Sequence, residues 1–221
     1  MTKNKFIPYK IANFSAEELI EKSQKYFQEI NKRRSVRDFS NRDVPKEVIE
    51  NIIKTAGSAP SGAHKQPWSF CVISDAKLKS KIRKLAEKEE YKNYHGRMSD
   101  SWKADLQHFG TDHIKEFLEV APFLIVVFRK VYDLDEDKNK SQNYYVNESV
   151  GIAVGFLITA IHQAGLVTLT HTPSPMKFLQ KALGRPKNEK AFLLLPIGYP
   201  SKDCIVPDLE RKKLEEISFW F

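Results

Sequence analysis

The sequence contains very little cysteine. Cys71 and Cys204 are the two cysteines in 221 residues, and they lie far apart in the chain. Two distant thiols do not form a disulfide scaffold or a ligand-spaced metal cluster, so the sequence favours a reducing compartment. Cys71 lies in the apolar run FCVIS, which is typical of a buried core thiol.

Long apolar runs are also missing. The longest apolar-rich stretch, from Val150 to Ala164, is interrupted by small and polar residues. It therefore falls short of the roughly 18 uninterrupted apolar residues that a membrane-spanning helix needs. The N-terminal MTKNKFIPYKIANFS lacks the apolar block of a secretory signal. We expect a cytoplasmic protein with no membrane partner.

The chain has an excess of basic residues, with a formal net charge of +8. The bases are interspersed with acids, as in KLKSKIRKLAEKEEYK, which is typical of a solvated helix face. We therefore expect no nucleic-acid partner, whereas a positive field would attract a phosphate-bearing cofactor. No metal site is expected either, because no ligand-like spacing connects His64, His95, His108, His113 and His162.

Hydrophobic periodicity and capping signals predict helices interspersed with short strands. Ser15 and Glu18 have the form of a capping box that opens a helix reaching Lys32. Pro45 suits the first turn of the next helix, because the missing N–H costs little there. The predicted helices cover residues 45–57, 77–119 with a break near Gly110, 145–163 and 176–183, and the predicted strands cover residues 68–74, 122–127, 166–172 and 191–197. This order predicts an α+β fold with helices around a small sheet.

Two segments are too apolar for an ordinary surface. The 145–163 helix is apolar on more than one side, which favours either a central buried helix or an intimate dimer. The chain ends in Phe219, Trp220 and Phe221, which predicts that this end docks on a neighbour. The neighbour can be a second subunit or the rest of the same chain.

The segment RRSVRDF is the first that indicates chemistry. It places the guanidinium groups of Arg33, Arg34 and Arg37 beside the hydroxyl of Ser35. Arginine binds phosphate with two parallel hydrogen bonds, and serine adds a further donor, so the segment predicts an anion site. An exposed arginine cluster is the alternative.

Three later segments are ordinary when each is considered alone. APSGAHKQPW is a helix-to-strand turn with the hydroxyl of Ser61 and a flexible Gly62. GLVTLTHTP can present alternate hydroxyls at a strand end, although threonine is common in strands. PDLERKKL carries Arg211 in the C-terminal segment and otherwise indicates a charged helix start.

Taken together and in this order, the four segments resemble the FMN-binding framework of the nitroreductase superfamily, over about residues 30 to 215. The resemblance implies a single FMN-binding domain over residues 1–221, built as an α+β sandwich of a small mixed sheet with helices. It also implies a domain-swapped homodimer with FMN at the interface, in which a tail of about residues 199–221 embraces the partner subunit.

The resemblance implies flavin-binding roles for ten residues. Arg37 would lie at the N1/O2 edge, where the reduced flavin carries negative charge. Thr172, the implied catalytic residue, would donate to N5 and permit electrons to leave one at a time. The ten residues are Arg33, Arg34, Ser35, Arg37, Ser61, Gly62, Thr170, His171, Thr172 and Arg211. Ser61 and Gly62 would come from the partner subunit.

A further resemblance concerns residues 86–116, a predicted lid. EEYKNYHGRM followed by HIKEFLEVAP resembles the active-site lid of the iodotyrosine deiodinase family. The resemblance implies that Glu90 binds the ammonium of a halotyrosine, Lys115 binds its carboxylate and Tyr94 adds a hydrogen bond. The amide of Ala63 would hold the phenolate. The implied reaction is FMN-dependent reductive dehalogenation through one-electron steps, with NAD(P)H as a possible donor. A helix with ordinary surface charges is the alternative.

Other functions stay open from the sequence. A broad-specificity NAD(P)H-dependent nitroreductase or quinone reductase would use the same flavin site without zwitterion recognition. A flavin-destroying enzyme of benzimidazole synthesis is a further relative. A non-catalytic nucleotide or nucleic-acid binding protein is the alternative from another class. His171 departs from the threonine of vertebrate deiodinases, which affects the expected flavin environment.

Overall fold

The computed structural model describes residues 6–221. Contacts between Cα atoms divide the chain into a unit that ends at Arg33 and a unit that begins at Arg34. No helix within the described range is apolar and long enough to span a lipid bilayer.

The N-terminal unit contains helix α1, Ala16–Asn31. The backbone N–H of Ser15 donates to Glu18 Oε2 at 2.7 Å, and the N–H of Glu18 donates to Ser15 Oγ at 3.2 Å. These reciprocal bonds satisfy two amides that a helix start leaves unpaired, which confirms the predicted capping box.

The second unit combines a four-stranded sheet, a two-stranded hairpin and seven helices among the described residues. The helices are α2 Lys46–Gly57, α3 Ala76–Lys92, α4 Asp100–Gln107, α5 Phe117–Val120, α6 Val146–Gln163, α7 Lys177–Ala182 and α8 Leu214–Ile217. The strands are β1 Trp68–Ile73, β2 Phe123–Lys130, β3 Tyr132–Leu134, β4 Lys140–Gln142, β5 Val167–Thr168 and β6 Glu189–Gly198.

The four-stranded sheet has the order β1-β2-β6-β5, and its ladders are antiparallel. A parallel bridge between Ser35 and Thr168 continues it at the β5 edge, which makes the sheet mixed. This bridge brings the arginine-rich segment beside the strand end that carries the alternating threonines.

Helices cover both faces of the sheet. Ile125 and Val127 of β2 pack in one core with α2 and α6. Leu124 and Val126 of the same strand pack in a second core with residues of α3, α5 and α7. Because side chains alternate along a strand, a strand buried on both faces is apolar throughout. The predicted α+β sandwich is confirmed.

Two apolar surfaces are exposed in the single chain. Helix α6 buries Ala153 and Leu157, but Ile152 is 44% exposed and Phe156 is 40% exposed on another side. The tail aromatics Phe219, Trp220 and Phe221 are also exposed. The sequence left open whether the tail docks on a second subunit or on its own chain. In the structure the three aromatic side chains are not docked on their own chain.

The predicted strand over residues 166–172 is shorter in the structure. Pro196 of β6 has no backbone N–H, so the β5–β6 ladder ends at Thr168, whose Oγ1 donates to Pro196 O at 2.7 Å. The pairing resumes as a single bridge between His171 and Leu194. The β3–β4 hairpin was not predicted from the sequence.

The predicted helical stretch over residues 77–119 is divided into three helices. A π-helical turn at Asn93–Arg97 ends α3, and Ser99 caps α4 by accepting from the N–H of Trp102 at 3.2 Å. Gly110 has a φ of 55°, which confirms the predicted break there. Residues of α3, the π-helical turn, α4 and the loop after it line a cavity beside the sheet edge.

Candidate functional site

A cavity of about 180 Å³ lies between the β5 edge of the sheet and the 86–116 segment. Three regions distant in sequence meet around it: the arginine-rich segment, the 86–116 segment and the 169–172 strand end. The cavity brings together seven of the predicted site residues, namely Arg37, Glu90, Tyr94, Lys115, Thr170, His171 and Thr172.

The end of α3 and the π-helical turn position Glu90 and Tyr94. Glu90 lies on the buried face of α3, and Tyr94 lies in the turn that follows. The Tyr94 hydroxyl donates to Thr111 O at 3.1 Å, which links the π-helical turn to the loop that follows α4. Asn93 Nδ2 donates to Ser174 O at 3.0 Å and fastens the turn to the loop after the strand end.

Lys115 and Glu90 form a buried ion pair. Lys115 is 3% exposed and Glu90 is 7% exposed, and Lys115 Nζ lies 3.9 Å from Glu90 Oε2. The ammonium also donates to Thr111 Oγ1 at 3.0 Å and to Asp112 O. Burial raises the pKa of Glu90 despite the nearby Lys115, and burial lowers the pKa of Lys115 despite the nearby Glu90. The cavity thus holds opposite charges a short distance apart.

The side chains of residues 169–172 alternate between buried and exposed, as expected for a strand. Thr170 and Thr172 are exposed, whereas His171 is 7% exposed and its backbone exchanges two hydrogen bonds with Leu194 at 2.8 and 3.0 Å. The His171 ring packs edge-on against Phe117, with centroids 5.7 Å apart. Burial, together with the positive charges of Lys115 and Arg37, lowers the pKa of His171 to about 3. The imidazole is therefore neutral at physiological pH.

A second cavity of about 360 Å³ shares Arg37 with the first. Ser35 lines it, as do tail residues 205–207 and residues 108–110. The Arg34 guanidinium donates to the carbonyl of Pro207, and the Arg37 guanidinium lies 5.8 Å from the centroid of the Phe109 ring. Three of the predicted flavin-binding residues, Arg34, Ser35 and Arg37, therefore adjoin the tail.

The loop with Ser61, Gly62 and Ala63 is located elsewhere. The Gly62 N–H donates to Ser149 Oγ at the start of α6, at 3.2 Å. A Cβ on Gly62 would lie 2.9 Å from Tyr144 O, so only glycine fits this approach. Ala63 has a φ of 49°. None of these three residues lines either of the two cavities that Arg37 lines.

The two remaining predicted flavin-site residues are Arg33 and Arg211. Arg33 belongs to the N-terminal unit, where its N–H donates to Ile30 O at 3.1 Å. Arg211 lies exposed in the tail, before α8. Their predicted contacts with a phosphate stay predictions.

The cavity also has walls that the sequence analysis did not include. Six residues complete the lining: Met98, Trp102, Leu106, Thr111, Phe117 and Leu169. Trp102 and Leu106 are four residues apart on α4, a spacing that places both on one face of the helix. This spacing could have identified them as lining residues from the sequence. Within residues 6–221 no group of three or more histidine, cysteine or acidic side chains could hold a metal ion.

Comparisons with known proteins show which family and fold this chain resembles. Residues 30–199 match the sequence profile of the Nitroreductase family. Iodotyrosine deiodinase of Haliscomenobacter hydrossis is 64% identical over 207 residues, which cover 94% of this chain and 93% of that protein. Iodotyrosine deiodinase 1 of Homo sapiens is 48% identical over 214 residues, which cover 96% and 73%. A crystal structure of oxidized iodotyrosine deiodinase bound to FMN and 3-iodo-L-tyrosine superposes with a TM-score of 0.77 at 29% identity, covering 88% of this chain and 100% of that chain.

Proposed function

Because the chain belongs to the nitroreductase family, we propose that it is an FMN-dependent enzyme that reductively removes halogen from halogenated tyrosines. The observation that carries this proposal is the buried pair of Glu90 and Lys115 in a cavity beside the exposed Thr170 and Thr172. The relatives named iodotyrosine deiodinase support the same substrate class.

The paired charges suit the amino-acid end of the substrate. A halotyrosine carries an ammonium and a carboxylate on neighbouring atoms, and the cavity offers a carboxylate and an ammonium. Glu90 would bind the substrate ammonium, Lys115 the substrate carboxylate, and the Tyr94 hydroxyl would add a hydrogen bond. Charge-assisted hydrogen bonds of this kind are stronger than hydrogen bonds between neutral groups, and exclusion of water strengthens them further.

The chain's own residues also suit FMN. Arg34, Ser35 and Arg37 offer fixed cations and a hydroxyl for the phosphate and the polar edge of the flavin, with Arg33 and Arg211 as further phosphate ligands. The exposed Thr170 and Thr172, with the backbone of His171, would line the ring, and Thr172 would donate at N5. FMN, when bound, supplies electrons that can leave one at a time.

The reaction balances with two electrons and one proton. The carbon–halogen bond of the ring breaks, halide leaves with the bonding electron pair, and a carbon–hydrogen bond forms at the same carbon. NAD(P)H is the reductant that we expect for the flavin. Arg37 would favour the negative charge that reduction places on the flavin edge.

We infer that the functional unit is a homodimer. Ser61, Gly62 and Ala63 lie away from both cavities of their own chain, so the same loop of a second copy would complete the site. The exposed side of α6 and the aromatic tail supply apolar surface that such a dimer would bury. A cytoplasmic location, expected from the sequence, is part of this proposal.

Titration of the oxidised FMN-bound protein tests the proposal. We expect 3,5-diiodo-L-tyrosine to quench flavin fluorescence at concentrations where 2,6-diiodophenol and a nitroaromatic do not. Enzyme reduced with dithionite should release iodide from diiodotyrosine. A preparation that takes up no FMN, or that binds nitroaromatics in preference to diiodotyrosine, would contradict the proposed function.

A further inference from the structure

His171 packs toward the segment that carries Lys115, whereas its sequence neighbours Thr170 and Thr172 are exposed. Thr170 and Thr172 are exposed on the strand end, and the alternation of side chains turns His171 the other way. There the imidazole packs edge-on against Phe117, two residues beyond Lys115. The side chain therefore connects the strand end to the segment that carries the buried ammonium.

The His171 ring has an unused hydrogen-bonding atom. Nε2 is buried and has no partner among the described residues. A buried polar atom without a partner destabilises a fold, because its hydration is lost and nothing replaces it. Burial of His171 Nε2 therefore destabilises the fold, and no hydrogen bond among the described residues compensates for it.

Lys115 has hydrogen-bonding capacity to spare. An ammonium has three N–H donors. Two of them are engaged by Thr111 Oγ1 at 3.0 Å and by Asp112 O. The contact with Glu90 Oε2 measures 3.9 Å, which is longer than a hydrogen bond. Lys115, which has a donor to spare, and His171, which has an unpaired nitrogen, therefore line the same cavity.

Resting on the proposed function, we propose that His171 is a positioning residue for Lys115. In the substrate complex, the Nε2 lone pair accepts a hydrogen bond from the Lys115 ammonium, which aims the remaining N–H groups at the substrate carboxylate. A neutral imidazole can accept such a bond whereas an imidazolium cannot. The low pKa of His171, about 3, agrees with this requirement.

Two substitutions separate shape from hydrogen bonding. His171→Phe keeps a planar ring against Phe117 and removes the acceptor, whereas His171→Gln keeps an acceptor on a flexible chain. In FMN-bound enzyme we expect His171→Phe to raise the Kd for 3,5-diiodo-L-tyrosine about tenfold, with His171→Gln closer to the native value. FMN affinity should be unchanged in both. The affinity for 2,6-diiodophenol, which has no carboxylate, should also be unchanged.

A spectroscopic signature adds a readout that a purely structural role would not move. In protein labelled with ¹⁵N-histidine, the His171 Nε2 resonance should shift when diiodotyrosine binds the FMN-bound enzyme, and the shift should be absent in Lys115→Ala. Native affinity in His171→Phe, or an equal loss of diiodophenol affinity, would overturn the proposal. So would loss of FMN, which would make the His171 side chain, and not only its backbone, a flavin ligand. If the native enzyme does not bind diiodotyrosine, the proposed function itself fails.

Discussion

Lys115 Nζ lies 3.9 Å from Glu90 Oε2, and both side chains are almost entirely buried. Burying two charges costs more than their mutual attraction returns unless hydrogen bonds complete the arrangement. Lys115 has such partners in Thr111 and Asp112, and a zwitterionic ligand would supply further ones. The burial of the pair agrees with the ligand-binding role proposed for it.

Removing either charge should weaken halotyrosine binding while FMN stays bound. We expect Glu90→Gln and Lys115→Ala each to weaken the binding of diiodotyrosine by about 1.5–3 kcal/mol, because each removes a charge-assisted contact. Flavin-fluorescence quenching measures the affinity. Glu89→Gln is the matched control, because Glu89 pairs with Lys92 and Arg97 and does not line the cavity. Equal affinity in all three variants would disprove the zwitterion site.

Halotyrosine affinity should decline toward both ends of the pH scale. Burial lowers the pKa of Lys115 below 10.5, so its positive charge is lost earlier than usual as the pH rises. Burial raises the pKa of Glu90 above 4.5, so its negative charge is lost earlier than usual as the pH falls. The Kd for diiodotyrosine should rise as the pH falls, and this rise should disappear in Glu90→Gln. If the Kd of that variant rises with acid as much as the native Kd does, another group causes the loss of affinity.

Acid should destabilise the native protein partly through His171. Its pKa is about 3 in the folded state, against 6.5 for an ordinary histidine, so the unfolded chain binds the extra proton between these values. Stability is therefore retained above about pH 6.5 and falls by about 1.4 kcal/mol per pH unit below it, through this residue alone. Urea unfolding of native protein and His171→Phe, at several pH values from 7 to 4, measures the difference. Parallel curves would refute this contribution.

Gly62 and Ala63 should respond oppositely to exchange of glycine and alanine. Gly62→Ala places a methyl group 2.9 Å from Tyr144 O and 3.0 Å from Tyr145 Cδ2, and we expect a loss of about 1–3 kcal/mol in unfolding free energy. Ala63 has a φ of 49°, where glycine is unstrained, so Ala63→Gly should be neutral or slightly stabilising. Thermal unfolding of the two variants tests this. A harmless Gly62→Ala would show that the loop can move.

A charge on the exposed side of α6 should disrupt the dimer. Phe156→Glu places a carboxylate on apolar surface that the proposed dimer would bury. We expect a monomer in size-exclusion chromatography with light scattering, and loss of FMN, because the second copy's loop would no longer reach the site. Leu134→Glu in the β3–β4 hairpin is the control, since Leu134 is similarly exposed at 49%. A dimeric, FMN-bound Phe156→Glu protein would argue against this interface.

Local signals in the sequence predicted most of the helices and strands. Ser15 and Glu18 predicted the start of α1, apolar periodicity predicted α2, and a long apolar run predicted α6. The shortened β5 was not predicted, because its end depends on Pro196, a residue of the neighbouring strand. The π-helical turn at Asn93–Arg97 was likewise outside any local pattern.

The sequence by itself determined the chemical inventory: an arginine-rich anion segment, a strand end with alternating threonines, and Glu90, Tyr94 and Lys115 as candidates for ligand contact. These follow from residue types and short spacings, which act over a few bonds. The tertiary structure alone decided that Glu90 and Lys115 are buried as a pair, that His171 turns away from its threonine neighbours toward Phe117, and that Gly62 contacts Ser149 and lines neither cavity. Burial and pairing depend on which distant segments pack together, and no local spacing encodes that.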